Sequence, residues 1–179
     1  MLSKYSEEII DKAKKIKMLI LDVDGVLTDG RMVYGSYGDE LKNFNVNDGL
    51  GLYMMRKAGY KNIILTAKAS RVVKKRAKAL RIDKVYQNFH YKIKAYNDIK
   101  RKFKFNDDEI CFIGDDLIDI PVLKRVGLAV CPTNAMAEVK VFSHFITESS
   151  GGNGAVREVC NLLLRASGSW DKVTAGYFE

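Results

Sequence analysis

Residues 18–22, Met-Leu-Ile-Leu-Asp, run straight into Val23-Asp24-Gly25-Val26-Leu27-Thr28-Asp29-Gly30. The length and composition of the apolar stretch fit a buried strand. A buried strand does not ordinarily finish in carboxylates, because unpaired charge is expensive in a dry place. The glycine and polar residues that follow let the chain leave the sheet at once. Asp22 and Asp24 are therefore expected to point into the crevice above a sheet edge, where open α/β sheets bind ligands. Paired carboxylates there can hold a divalent cation, attack an electrophile or move a proton.

The segments that follow keep one rhythm. Strand-length apolar runs at 62–66, 84–87, 109–114, 127–130 and 144–146 alternate with helical patterns. The helices are expected at 49–58, 70–80, 92–103, 117–126 (beginning near Pro121), 135–141 and 154–167. Residues 3–15 read as an amphipathic helix, with Ser6 or Ser3 as cap and Ile9, Ile10 and Ala13 on one face. Residues 31–34 and 40–46 read as a hairpin around Gly35-Ser36-Tyr37-Gly38-Asp39. This order predicts an α/β fold, a Rossmann-like doubly wound parallel sheet with helices on both faces. The β-hairpin inserted after the first strand is its one expected antiparallel intrusion. No repeat, low-complexity tract or linker divides the chain. One domain over residues 1–179 is expected, with the hairpin insert at about 31–46 and a tail at about 168–179.

Of the 179 residues 47% are hydrophobic, enough for a sizeable core, and the net charge is +8. The densest basic region holds Arg71, Lys74, Lys75, Arg76, Lys78, Arg81 and Lys84. It suits nucleic acid, a solvated helix face or the steering of a small anion. The charge is widely spread and no nucleic-acid motif accompanies it, so no nucleic-acid partner is expected. Cys111, Cys131 and Cys160 are far apart, as reduced thiols would be. No apolar run has transmembrane length, and the first residues carry acid and lysine, unlike a signal peptide. The expectation is a cytoplasmic protein with no membrane partner.

Three strand ends carry polar groups on the rim where this fold binds ligands. The first delivers Asp22 and Asp24, the second Thr66, and the third Gly114-Asp115-Asp116 with Asp119 one turn on. Lys92 opens a helix between the last two. Carboxylates at close range repel one another, and a hard cation such as Mg²⁺ resolves the repulsion with oxygen ligands. Cation and lysine together make a socket for phosphate oxygens. A carboxylate beside them can attack phosphorus, and a second one two residues on can move the proton.

DVDGVLTDG, Thr66, Lys92 and GDDLIDIPVL resemble, in order and spacing, the four motifs of the haloacid dehalogenase-like phosphatase superfamily. NFNVNDGLG, KKRAKAL and GGNGAVREVCNLLL are further similar to its small, cap-less 3-deoxy-D-manno-octulosonate 8-phosphate phosphatases. The resemblance runs from the first helix to the last. It implies no cap domain, a Mg²⁺ cofactor and hydrolysis of a small phosphorylated sugar acid, on the route to lipopolysaccharide precursors. It makes Asp22 the nucleophile and a metal ligand, and Asp24 the acid/base with its backbone carbonyl on the metal. Asp115 becomes a metal ligand, Asp119 would help orient the metal shell or Lys92, and Asp116 lies behind them. Thr66 and Lys92 would hold the phosphate. Asn45, Val46, Asn47, Asp48 and Gly49 would meet the sugar acid with Asp24 and Lys92, and Lys68 and Arg76 its anionic end. The resemblance also implies a homotetramer built by the hairpin, with the Gly151–Gly154 segment at a neighbour's site.

Blander readings stand beside these. Asp116 suits a loop or cap, and Thr66 can cap the basic helix while facing phosphate. Lys94 rivals Lys92, although the spacing to Ala95-Tyr96 favours Lys92. Arg76 could belong to a solvated face, Asp48-Gly49 to a turn, and the late glycines to a helix lead-in. Ala67-Lys68 stands where relatives carry Gly-Arg, and Tyr53 where they often carry arginine. Lysine lacks the planar fork of arginine. That leaves a nonulosonate 9-phosphate as an alternative substrate. A non-catalytic interaction protein that keeps the fold is the other alternative.

Overall fold

The computed structural model describes residues 2–179, and Met1 lies outside them. Six strands, β1 (Met18–Leu21), β4 (Lys61–Leu65), β5 (Lys84–Tyr86), β6 (Ile110–Ile113), β7 (Leu128–Cys131) and β8 (Phe145–Ile146), form one sheet. Their order is β5-β4-β1-β6-β7-β8, and every pairing is parallel. The chain builds outward from β1 to β4 and β5, then returns to lay β6, β7 and β8 on the other side. The strand order therefore reverses between β1 and β6, the place where open α/β sheets open a ligand crevice.

Strand side chains alternate between faces, and two separate cores follow. Leu19, Leu21, Ile64, Cys111, Ile113 and Val130 face the helices α1 (Glu7–Lys15), α2 (Val46–Lys57), α3 (Arg71–Ala79) and α7 (Ala155–Ala166). Met18, Ile20, Ile63, Phe112 and Ala129 face α4 (Lys92–Phe103), α5 (Ile120–Leu123) and α6 (Ala137–Val141). Burial on both faces explains why the strands read as unbroken apolar runs rather than as alternating ones.

The hairpin differs from its expectation. Its strands β2 (Val33–Tyr34) and β3 (Glu40–Leu41) are two residues each and form a separate antiparallel sheet. The expected strand 40–46 stops early because Asn45 caps a helix: its Oδ1 accepts the Asn47 N–H at 2.7 Å, and α2 starts at Val46 rather than Gly49. Ser6, not Ser3, caps α1, accepting the Ile9 N–H at 3.3 Å. The helix expected over 117–126 breaks into a 3₁₀ turn, Leu117–Asp119, followed by the short α5, because the Asp119 side chain turns inward. The tail is ordered too. Its helix α8 (Trp170–Thr174) sets Trp170 under the Arg165 guanidinium, 3.7 Å from the ring centroid.

Candidate active site

The crevice between β1 and β6 is lined by groups that β1, β6 and α4 deliver. Asp22 follows β1 directly, and its N–H continues the ladder to the Ile113 carbonyl at 3.0 Å. Its Oδ1 accepts the Val23 N–H at 2.7 Å, while Oδ2 lies 2.7 Å from Lys92 Nζ. Lys92 is the first residue of α4, and its side chain is 0% exposed. The same ammonium lies 2.5 Å from Asp119 Oδ1. The other Asp119 oxygen accepts the Asp115 and Asp116 N–H groups at 3.0 and 3.2 Å. Asp119 thus spends both oxygens on holding Lys92 and the loop after β6. Lys94, the rival of Lys92, stacks its ammonium on exposed Tyr91 instead.

Asp115 completes the cluster. Its Oδ1 is buried and has no hydrogen-bond partner. Oxygens of Asp22, Asp115 and Asp119 lie within 4.8 Å of one another, a spacing a metal ion can bridge. Burial pushes the Asp22 carboxyl up to about 7, with Lys92 opposing and Asp119 adding. Burial, then the charges of Asp22 and Asp119, push Asp115 up to about 8. Burial works to lower Lys92, but Asp22 and Asp119 outweigh it and hold the ammonium charged. Two carboxyls that resist ionisation around one cation leave room for a second positive charge. An orphaned carboxylate oxygen and an all-oxygen donor set fit Mg²⁺.

Glycines bring the backbone close. Gly25 has φ +85°, and a Cβ there would overlap the Asp115 carboxylate. A Cβ on Gly151 would overlap the Gly25 carbonyl. The segment placed at a neighbour's site by the resemblance therefore packs on this chain's own loop 23–29. Asn134, which follows β7 and which sequence reasoning missed, ties the two together. It donates to the Gly25 carbonyl at 3.1 Å and accepts the Gly151 N–H at 2.6 Å. Its signal was available, since it too is a polar residue just beyond a strand end.

The remaining candidates lie farther out or serve the scaffold. Thr66 is buried just beyond β4, and its hydroxyl accepts the Lys68 N–H at 3.4 Å. Asp24 turns its carboxylate to Lys42 of the hairpin. Lys42 also lies 3.1 Å from Glu40, and Glu40 lies 3.0 Å from Lys68. Burial would raise the Glu40 carboxyl, but Ser70, Lys68 and Lys42 hold it at about 2. Asn45 donates to the Gly152 carbonyl at 3.2 Å, and Val46 is exposed. Asn47 offers its carbonyl to Arg157 at 3.4 Å. Asp48 is buried and accepts the Arg157 N–H at 2.8 Å, which seats α7 on α2. Arg76 donates to the Asn45 carbonyl at 3.2 Å and covers the Phe44 ring, and Gly49 leaves the space for it. Asp116 caps the 3₁₀ turn, accepting the Leu117 N–H at 2.7 Å. Tyr53 lies beneath Arg56 and Lys57.

A family model described as haloacid dehalogenase-like hydrolase matches residues 64–159. The chain belongs to this family. It is 41% identical over 167 residues to the 3-deoxy-D-manno-octulosonate 8-phosphate phosphatase of Escherichia coli K12, covering 93% of this chain and 89% of that protein. It superposes on the crystal structure of the phosphatase of that name from Yersinia pestis with TM-score 0.92 and 37% identity, over 93% of this chain and 90% of that one. The Moraxella catarrhalis phosphatase, crystallised with magnesium ion, phosphate ion and KDO, superposes with TM-score 0.94 and 38% identity, over 97% of this chain and 99% of that one. Among the described residues, no helix is long and apolar enough to cross a membrane.

Proposed function

We propose that the protein is a Mg²⁺-dependent phosphoric monoester hydrolase acting on 3-deoxy-D-manno-octulosonate 8-phosphate. The observation that carries the chemistry is the buried Asp22–Lys92–Asp119 array beside the unpartnered oxygen of Asp115. The similarity to the Escherichia coli and Moraxella catarrhalis phosphatases supports the substrate. Asp22, Asp115 and the Asp24 carbonyl would hold Mg²⁺, which supplies positive charge against the phosphoryl oxygens.

The residues then divide the work. Lys92, fixed by Asp119, points one ammonium at the phosphate and keeps Asp22 aimed. An Asp22 oxygen attacks phosphorus, the bond to the sugar oxygen breaks, and Asp24 gives that oxygen its proton. Water then attacks the aspartyl phosphate, losing its proton to Asp24, and the bond from phosphorus to Asp22 breaks. Thr66 donates to a phosphoryl oxygen. The product would enter lipopolysaccharide precursor synthesis in the cytoplasm, and the working form would be a homotetramer.

Release of inorganic phosphate from the octulosonate ester, abolished by EDTA and restored by Mg²⁺, is the expected result. No metal-dependent release from any sugar phosphate would favour a non-catalytic protein. Lys68 bears on the substrate, because Glu40 already neutralises the residue that would meet the sugar carboxylate. A side-by-side kcat/KM comparison with a nonulosonate 9-phosphate decides it, and a clear preference for the nonulosonate would overturn the octulosonate assignment.

A further inference from the structure

Asn134 is an exposed residue in the loop 132–136 between β7 and α6, yet both ends of its amide are taken by backbone. Its Nδ2 donates to the Gly25 carbonyl at 3.1 Å, and its Oδ1 accepts the Gly151 N–H at 2.6 Å. An exposed amide can turn to water instead, so burial does not compel these bonds. Holding the side chain in one rotamer also costs entropy. The group it holds needs holding. Gly25 has φ +85° and no side chain to fix its conformation. It follows Asp24 directly, and it lies so near Asp115 that a Cβ would come 2.0 Å from Asp115 Oδ2. The loop of Asn134 reaches Asp115 as well, since the Met136 N–H donates to the Asp115 carbonyl at 3.0 Å. Loop 132–136 thus grips both the turn after β1 and the turn after β6.

We propose that Asn134 is a positioning residue for the metal: by pinning the Asp24–Gly25 turn against Asp115 it sets the separation of two Mg²⁺ donors, the Asp24 carbonyl and the Asp115 carboxylate. This rests on the phosphatase function above. The paired register of β1 and β6 ends at Leu21 and Ile113, before either donor, so contacts between loops must fix the spacing. Mg²⁺ takes oxygens in a near-ideal octahedron at about 2.0–2.1 Å, whereas Ca²⁺ takes them at about 2.3–2.6 Å in flexible arrangements. A turn released from Asn134 therefore penalises Mg²⁺ more than Ca²⁺.

The test is calorimetric titration of Mg²⁺ and of Ca²⁺ into the metal-free protein, wild type and Asn134→Ala. The variant should bind Mg²⁺ about 10–100-fold more weakly, the range for groups that orient a metal's ligands, and Ca²⁺ with a clearly smaller loss. Its melting temperature without metal should stay close to that of the wild type, because truncating an exposed side chain opens no void in the core. A second variant, Thr147→Val, removes the hydroxyl that donates to the Ser149 carbonyl at 2.6 Å. It loosens the chain leading to Gly151 without touching Gly25, and it should leave both affinities unchanged. Equal loss for the two ions, the same loss in Thr147→Val, or wild-type Mg²⁺ affinity in Asn134→Ala overturns the assignment. A wild-type protein that binds no Mg²⁺ and releases no phosphate from any ester overturns the phosphatase function, and this proposal with it.

Discussion

Lys92 sets the charge balance of the crevice. Its ammonium is enclosed and contacts two carboxylates, those of Asp22 and Asp119. Removing one partner of a buried ion pair leaves the others uncompensated, at a cost of about 3–5 kcal/mol. Lys92→Ala should therefore lower the unfolding free energy by that amount, seen as a fall in the denaturant midpoint, as well as abolish turnover, and an unchanged midpoint would contradict the enclosed pairing. Asp22→Asn behaves differently. The amide keeps the side-chain volume and can still accept the Val23 N–H, so the fold should persist while phosphate release falls below detection. Near-normal activity would mean another residue is the nucleophile. Asp24→Asn should slow turnover by roughly 10²–10⁴-fold, the range of general acid–base help.

The glycine-rich lead into α7 shows how one element holds another. Gly151 and Gly152 lie against the backbone of loop 23–29, and the Gly152 N–H donates to the Val26 carbonyl at 3.0 Å. Gly152 and Gly154 have φ of +69° and +102°, which side chains disfavour. A methyl on Gly151 has only backbone to displace, so loop 23–29 must shift and carry Asp24 with it. Gly151→Ala should cost on the order of 10²-fold in kcat, the penalty for about 1 Å of misplacement. A crystal structure of the variant with loop 23–29 unmoved, or unimpaired kcat, would show that the loop has slack. α2 is anchored to the same element, since Asp48 accepts from the start of α7. The segment 45–49 thus owes its position to α7, whatever it touches in the substrate.

For the whole molecule, the hairpin is the part left without a core. Met32, just before β2, and Tyr34 and Leu41 on the two-stranded sheet are 44%, 62% and 51% exposed, and the edges of that sheet are open. Such a surface favours burial against a second copy. Light scattering at micromolar concentration should give a tetramer, and Leu41→Asp should dissociate it, whereas a stable monomer would refute the idea. Pattern alone was enough for the alternation of strands and helices, the parallel sheet, and the carboxylates and threonine at its strand ends. Those features follow from local periodicity and from the cost of leaving charge in a dry strand. The Asn45 cap and the break of the expected helix at Asp119 escaped it, because Phe44 and Val46 imitate a strand and Ile118 to Leu123 a continuous helix. Tertiary structure alone decided that Asp24 meets Lys42 and that Asn134 clamps Gly25 to Gly151, and it seated Lys92, which spacing already favoured over Lys94, between Asp22 and Asp119. Each of these joins residues distant in the chain, and a side chain's partner is set by what packing brings within about 3 Å, a distance that no sequence spacing encodes.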